Sequence, residues 1–126
     1  MAKPKRGEVW LVDMGYAAKV RPALVLSGPV LDDERALTTV IPHTTSVRGT
    51  RFEIPTNVGW LKNGAFDVQG IGTYPTVKLM RKLGDLSDEL LGLVESRVIT
   101  LLGLPAQPRS PSVPMMGETP ALSPLE

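Results

Sequence analysis

The sequence predicts a mainly β domain that ends in one helix. Three observations lead there. Short β-rich apolar runs follow one another through residues 8–83. No helical period lies between any two of them, which argues against βαβ crossovers and a doubly wound sheet. The one sustained apolar repeat at three- and four-residue spacing comes after them, within residues 87–103. At 126 residues the chain has room for one domain and little else.

The first strand is expected over residues 8–12, Glu-Val-Trp-Leu-Val. A loop marked by Gly15 separates it from a second strand at 23–26, and Pro22 suits the first residue of a strand because it cannot donate to a ladder. Residues 37–41 form a third strand. Residues 51–54 form a fourth, after a turn around Arg48 and Gly49. Two more are expected at 65–71 and 76–83. In the helix Ser87 is the N-cap, Asp88 and Glu89 complement the dipole, and Gly103 is the stop. Leu90, Leu91, Val94, Val98, Leu101 and Leu102 make its apolar stripe. The expected architecture is a strongly curved sheet or small barrel closed by that helix, occupying residues 1–104. Six of the twelve prolines fall in 105–126, which has no apolar period to bury and reads as a disordered tail.

Composition narrows the chemistry. The chain has no Cys and one His, so thiol catalysis, disulfides and the usual zinc sites are excluded. It has no GxGxxG, phosphate loop or GxSxG. An enzyme built from these residues works with cations, hydroxyls and one or two carboxylates, without a cofactor. The net charge of +1 hides an asymmetry. Residues 1–84 carry twelve Lys/Arg against seven Asp/Glu, a balance of +5, whereas 85–126 carry two against six, a balance of −4. A basic front favours polyanions. No apolar run of signal or membrane length follows the basic start, so a cytoplasmic protein is expected, with no membrane partner.

Three segments concentrate the reactive side chains: Lys5-Arg6-Gly7-Glu8-Val9-Trp10, Arg21-Pro22-Ala23-Leu24-Val25-Leu26-Ser27, and Ile41-Pro42-His43-Thr44-Thr45-Ser46. Followed by Phe52-Glu53-Ile54-Pro55, by Gly70 to Thr73 leading to Lys82 through Leu86, and by a closing helix ending Leu-Leu-Gly-Leu, they resemble the MazF/PemK (Kid) family of toxin ribonucleases. The resemblance spans residues 5–104, with six matches in one order. It implies an SH3-like small barrel of the CcdB/MazF kind and a homodimer. It also implies metal-independent cleavage of single-stranded RNA to a 2′,3′-cyclic phosphate and a 5′-OH, and inhibition by a MazE-like antitoxin. The family's catalytic Arg falls on Arg21 and its catalytic Thr on Thr44, with Thr45 as a supporting hydroxyl. A rim Arg suits the work, because its planar fork meets two phosphate oxygens at once.

Read without the resemblance, Arg21 is a surface cation paired to a carboxylate, and Thr44 and Thr45 are ordinary strand residues. His43 titrates near neutral pH, yet if Thr44 faces a cleft, alternation turns His43 to the opposite face, and it reads as structural. Relatives of the PemK kind carry an acid where this chain has Gln69; Asp67, two residues earlier and expected on the same side of that strand, is either a substitute or a solvated carboxylate. Those relatives also place a His in the first loop, where this chain offers Tyr16 and Lys19. Lys19, Arg48, Arg51 and Lys62 are the expected RNA contacts. Trp10, Tyr16 or Trp60 could stack a base, although Trp10, mid-strand, reads as core, and Arg6 as an anchor for the start of the barrel. Two other readings use the same fold without catalysis: a CcdB-like toxin that binds DNA gyrase, and an SH3-like interaction module.

Overall fold

The computed structural model describes residues 3–15 and 19–105. The strands are β1 (Glu8–Asp13), β2 (Val20–Val25), β3 (Leu37–Thr44), β4 (Glu53–Thr56), β5 (Gly64–Asp67), β6 (Gly72–Pro75) and β7 (Leu79–Asp85), followed by helix α1 (Asp88–Leu102). Tyr16 and, from residue 106 onward, the expected tail lie outside the described residues.

All pairings are antiparallel, in the order β4-β5-β3-β2-β1-β7. β3 is the hinge of the topology. One side pairs with β2; on the other, residues 37–40 pair with β6 and residues 43–44 with β5. Pro42 stands at this change of partner and has no N–H to give either strand. The chain crosses from β5 to β6 there through a 3-10 turn, Val68–Gly70. Gly70 packs on the proline ring so closely that a Cβ would fall 2.7 Å from Pro42 Cγ.

Strand alternation divides the core in two. On one face Val9, Leu24, Ile41, Ile54, Phe66 and Val68 pack with Leu86 and Val94, the latter presented by α1. On the other, Trp10, Val12, Ala23, Val25 and Val40 pack with Leu79. His43 belongs to the helix-covered face. It is 4 % exposed, its Nε2 lies 2.8 Å from Thr56 Oγ1, and its ring meets Phe66 edge-on at 5.1 Å. Burial holds its pKa below the ordinary histidine value. The structural reading of His43 is the one the fold shows.

The helix is capped as its sequence predicts. Ser87 Oγ accepts from Leu90 N–H at 3.2 Å, and Gly103 adopts φ +70° with its N–H directed at the Ile99 and Thr100 carbonyls. Arg6 donates to the Leu26 carbonyl and pairs with Glu95 of α1, tying the start of β1 to the end of β2 and to the helix. Glu8, beside it, accepts from Trp10 Nε1 (2.9 Å) and Lys5 N–H (2.8 Å) and pairs with Lys82 at 3.1 Å. Burial works against the Glu8 charge, but these bonds outweigh it and lower its pKa.

Two expectations need correction. Residues 65–71 are not one strand, because Asp67 caps the 3-10 turn and ends β5. Residues 76–83 begin with a second 3-10 turn, Thr76–Lys78, so that β7 starts only at Leu79, and β6 is a seventh strand. The fold class is the expected one, a curved antiparallel sheet with one C-terminal helix, and the sheet itself is not closed. β4 and β7 are the ends of the ladder, and Trp60 of the β4–β5 loop lies against Gly84 of β7, where a Cβ would fall 2.6 Å from the indole.

Candidate active site

Two prolines shape the site. The β2–β3 ladder ends at Ala23 opposite Pro42. Hydrogen-bonded and non-hydrogen-bonded pairs alternate along such a ladder, and Pro42, without an N–H, takes the latter kind. The next pair outward would join Pro22 to His43 and would need the N–H that Pro22 lacks. The ladder therefore stops, and β3 continues with β5 instead. Pro22 is not the first residue of β2, as its chemistry suggests, but the third; its missing donor is turned to the side where no partner strand follows.

Arg21 lies just before this break on β2, paired with Val12 of β1, and Thr44 lies just beyond it on β3, paired with Ala65 of β5. Both share a face with Val12, Trp10, Ala23 and Pro42, the face away from α1. Arg21 and Thr44 are half-buried. Thr44 Oγ1 accepts from Ser46 N–H at 3.0 Å, so its lone pair is engaged locally and its O–H is able to donate to an anion. Thr45 falls beyond the strand and is exposed. Gly64 backs Thr44 from β5: a Cβ there would collide with the Thr44 carbonyl and stand 2.9 Å from the His43 ring.

Asp67 reaches the same face. Ala65 pairs with Thr44, and Asp67, two residues on, shares its side of the sheet. Its Oδ1 accepts from Gln69 N–H at 3.2 Å. Gln69 itself is exposed on the 3-10 turn, not on the strand, so the expected equivalence of facing between Asp67 and Gln69 does not hold.

The start of β2, the end of β3 and the start of β5 lie at one end of the sheet. Lys19 immediately precedes β2 at φ +56°, Arg48 follows β3, and Lys62 precedes β5; all three are exposed. Arg51 is drawn the other way. Its carbonyl accepts from Arg97 Nε of α1 at 2.9 Å, and its guanidinium lies 4.7 Å over the Phe52 ring. Trp10 is core at 8 % exposure, whereas Trp60 is 38 % exposed.

Glu53 is the residue that sequence reasoning passed over. It stands opposite Asp67 in the β4–β5 ladder, on the Thr44 side of the sheet. Its carboxylate accepts from Thr50 N–H at 2.9 Å and from Arg48 N–H at 3.1 Å to each oxygen. These backbone donors, that of Thr50 foremost, hold its pKa below the ordinary carboxylate value. Among the described residues no three His, Asp or Glu side chains gather as a metal centre would require, and no helix is long and apolar enough to cross a membrane.

Known structures share this architecture. An endoribonuclease from a mycobacterial species matches with a TM-score of 0.70 at 22 % identity, over 85 % of this chain and 98 % of its own. The MazE–MazF structure (Form II) from Deinococcus radiodurans matches at 0.72 and 21 %, over 83 % and 100 %. The Mycobacterium tuberculosis toxin MazF-mt6 matches at 0.68 and 25 %, over 78 % and 98 %. The model of the PemK-like, MazF-like toxins of type II toxin–antitoxin systems matches residues 5–102. That span takes in every strand of the sheet and runs to the last residue of α1, and the chain belongs to this toxin family.

Proposed function

We propose that the chain is an endoribonuclease toxin that cuts single-stranded RNA at the Arg21–Thr44 site without a metal ion. The observation that supports this reading is that a guanidinium-bearing and a hydroxyl-bearing residue share one face of the sheet, next to the point where the β2–β3 ladder stops. The ribose 2′-oxygen attacks the adjacent phosphorus, giving its proton to a base, while the bond from phosphorus to the 5′-oxygen breaks and that oxygen gains a proton. The products are a 2′,3′-cyclic phosphate and a 5′-OH. Charge grows on the non-bridging oxygens of the crowded phosphorane. A planar guanidinium with paired N–H donors meets that charge, and the Thr44 O–H adds a third donor. Asp67, on the same face, is the carboxylate proposed for proton transfer or support, with Gln69, whose N–H it accepts, beside it, and Thr45 is the supporting hydroxyl next to Thr44. Lys19, Arg48 and Lys62 guide the phosphates on either side, with Arg51 nearer the helix.

As a member of a toxin–antitoxin family, the chain is proposed to be a cytoplasmic homodimer silenced by a cognate antitoxin. A related endoribonuclease has been seen in complex with its own. The direct test is incubation of purified protein with single-stranded RNA in EDTA, followed by chemical analysis of the new ends. Cleavage with 5′-OH ends is expected. Loss of cutting in EDTA, or 5′-phosphate ends, would refute the mechanism.

A further inference from the structure

The turn between β3 and β4 is held from both sides. Gly49, at φ +80°, gives it a conformation that residues with a side chain rarely adopt. Toward the Thr44 face, the Glu53 carboxylate takes the N–H groups of Arg48 and Thr50. Toward α1, Arg97 takes the carbonyl of Arg51. A carboxylate here is costly in two respects. It stands across the ladder from Asp67, a like charge, and it adds negative charge beside a surface proposed to receive RNA. It is satisfied by backbone donors, and the Arg48 charge adds a smaller attraction.

We infer that Glu53 is a positioning residue for RNA binding: by clamping the 48–50 turn it presents the exposed Arg48 to a phosphate flanking the scissile bond, with Arg97 bracing the far side of the turn. This rests on the ribonuclease reading. The clamp acts before chemistry. An Arg48 on a loose loop pays its ordering entropy on binding, whereas a pinned one has paid it already.

The test is steady-state cleavage of a short single-stranded RNA by wild type, Glu53→Ala, Glu53→Gln, Arg48→Ala and the Glu53→Ala/Arg48→Ala double variant. Glu53→Ala is expected to raise KM about tenfold, the scale of one or two charge-assisted hydrogen bonds, with kcat within about twofold. Glu53→Gln keeps one acceptor oxygen and should recover most of the loss. In the Arg48→Ala background, Glu53→Ala should add nothing, because the residue it positions is gone. An unchanged KM in Glu53→Ala, a fall in kcat alone, or the same loss with and without Arg48 would each overturn the inference. A wild type inert toward RNA would instead sink the ribonuclease reading and take this inference with it. A wild type that cuts beside a normal Glu53→Ala sinks only the clamp.

Discussion

His43 and Thr44 are consecutive on β3, and the pleat sends them to different fates. His43 enters the helix-covered core, hydrogen-bonded to Thr56 and edge-on to Phe66. Thr44 turns to the other face, the one that carries Arg21, half-buried and able to donate. The same partition holds across the sheet. The helix-covered side uses Val9, Leu24, Ile41 and Phe66 to hold the fold, and the opposite side carries Arg21, Thr44, Asp67 and Glu53 at one end of a smaller apolar cluster. The chemistry proposed for these residues is thereby kept off the side whose burial supplies the stability. Substitutions on the two faces should then fail in different currencies, one in turnover and the other in folding.

The largest separation is expected at Arg21. Arg21→Ala should lower kcat by about 10² to 10³-fold, the usual cost of removing one donor to developing oxyanion charge. Its melting temperature should stay close to that of wild type, since the residue is half-buried at the end of a strand. Calorimetry beside single-turnover cleavage checks both halves. A collapse of the melting temperature with the turnover would mean that Arg21 holds the strand ends together and that the faces are not independent.

The neighbouring pair gives a sharper contrast at smaller size. His43→Ala removes a buried ring and leaves Thr56 Oγ1 with only its 3.4 Å contact to the Gly64 carbonyl. A loss of about 3 kcal/mol in unfolding free energy is expected, with cleavage per folded molecule retained. Thr44→Val should do the reverse, lowering cleavage by about tenfold or somewhat more while leaving stability within about 1 kcal/mol. Urea titration and cleavage rates on the same preparations read both. If the two variants lose activity and stability in the same proportion, alternation on β3 does not separate site from core.

How much of this was legible beforehand follows from which causes are local. The helix reads from its own residues, because Ser87, Asp88, Glu89 and Gly103 act within one turn of its ends. β1 and the main part of β3 read from β propensity, and the opposed facing of His43 and Thr44 from the period of two. The break after Asp67 does not: the Asp67 cap that makes it is local, but the turn also packs Gly70 on Pro42, a segment distant in sequence. The contact of Trp60 with Gly84 is equally non-local. In the site, Arg21 and Thr44 stand out by resemblance and by Pro22 next to Arg21. Glu53 does not, because its partners are backbone N–H groups that every residue but proline carries, and no pattern of side chains marks them.

The smallest expected effect is in pH, and it isolates the helix-covered face. His43 takes a proton less readily in the fold than in the unfolded chain, whose histidines titrate near 6.5. Below that value, and above its lower folded pKa, the unfolded state binds more protons, so acid favours unfolding and stability rises with pH. Glu8 and Glu53 also have lowered pKa values; their stabilising contributions are present above the ordinary value of 4.5 and are lost as pH falls through the lower folded values. In the upper part of the interval between pH 6.5 and 4.5, before the carboxylates of the unfolded chain begin to take protons, the slope is that of His43. The melting temperature of wild type should be level above neutrality and decline through this interval, whereas His43→Gln, with nothing to protonate, should remain level until the carboxylates begin to titrate. Thr44→Val, altered on the other face and carrying no titrating group, should trace the wild-type decline. An unchanged decline in His43→Gln would place the sensitive proton elsewhere and remove the buried imidazole from the account of acid stability.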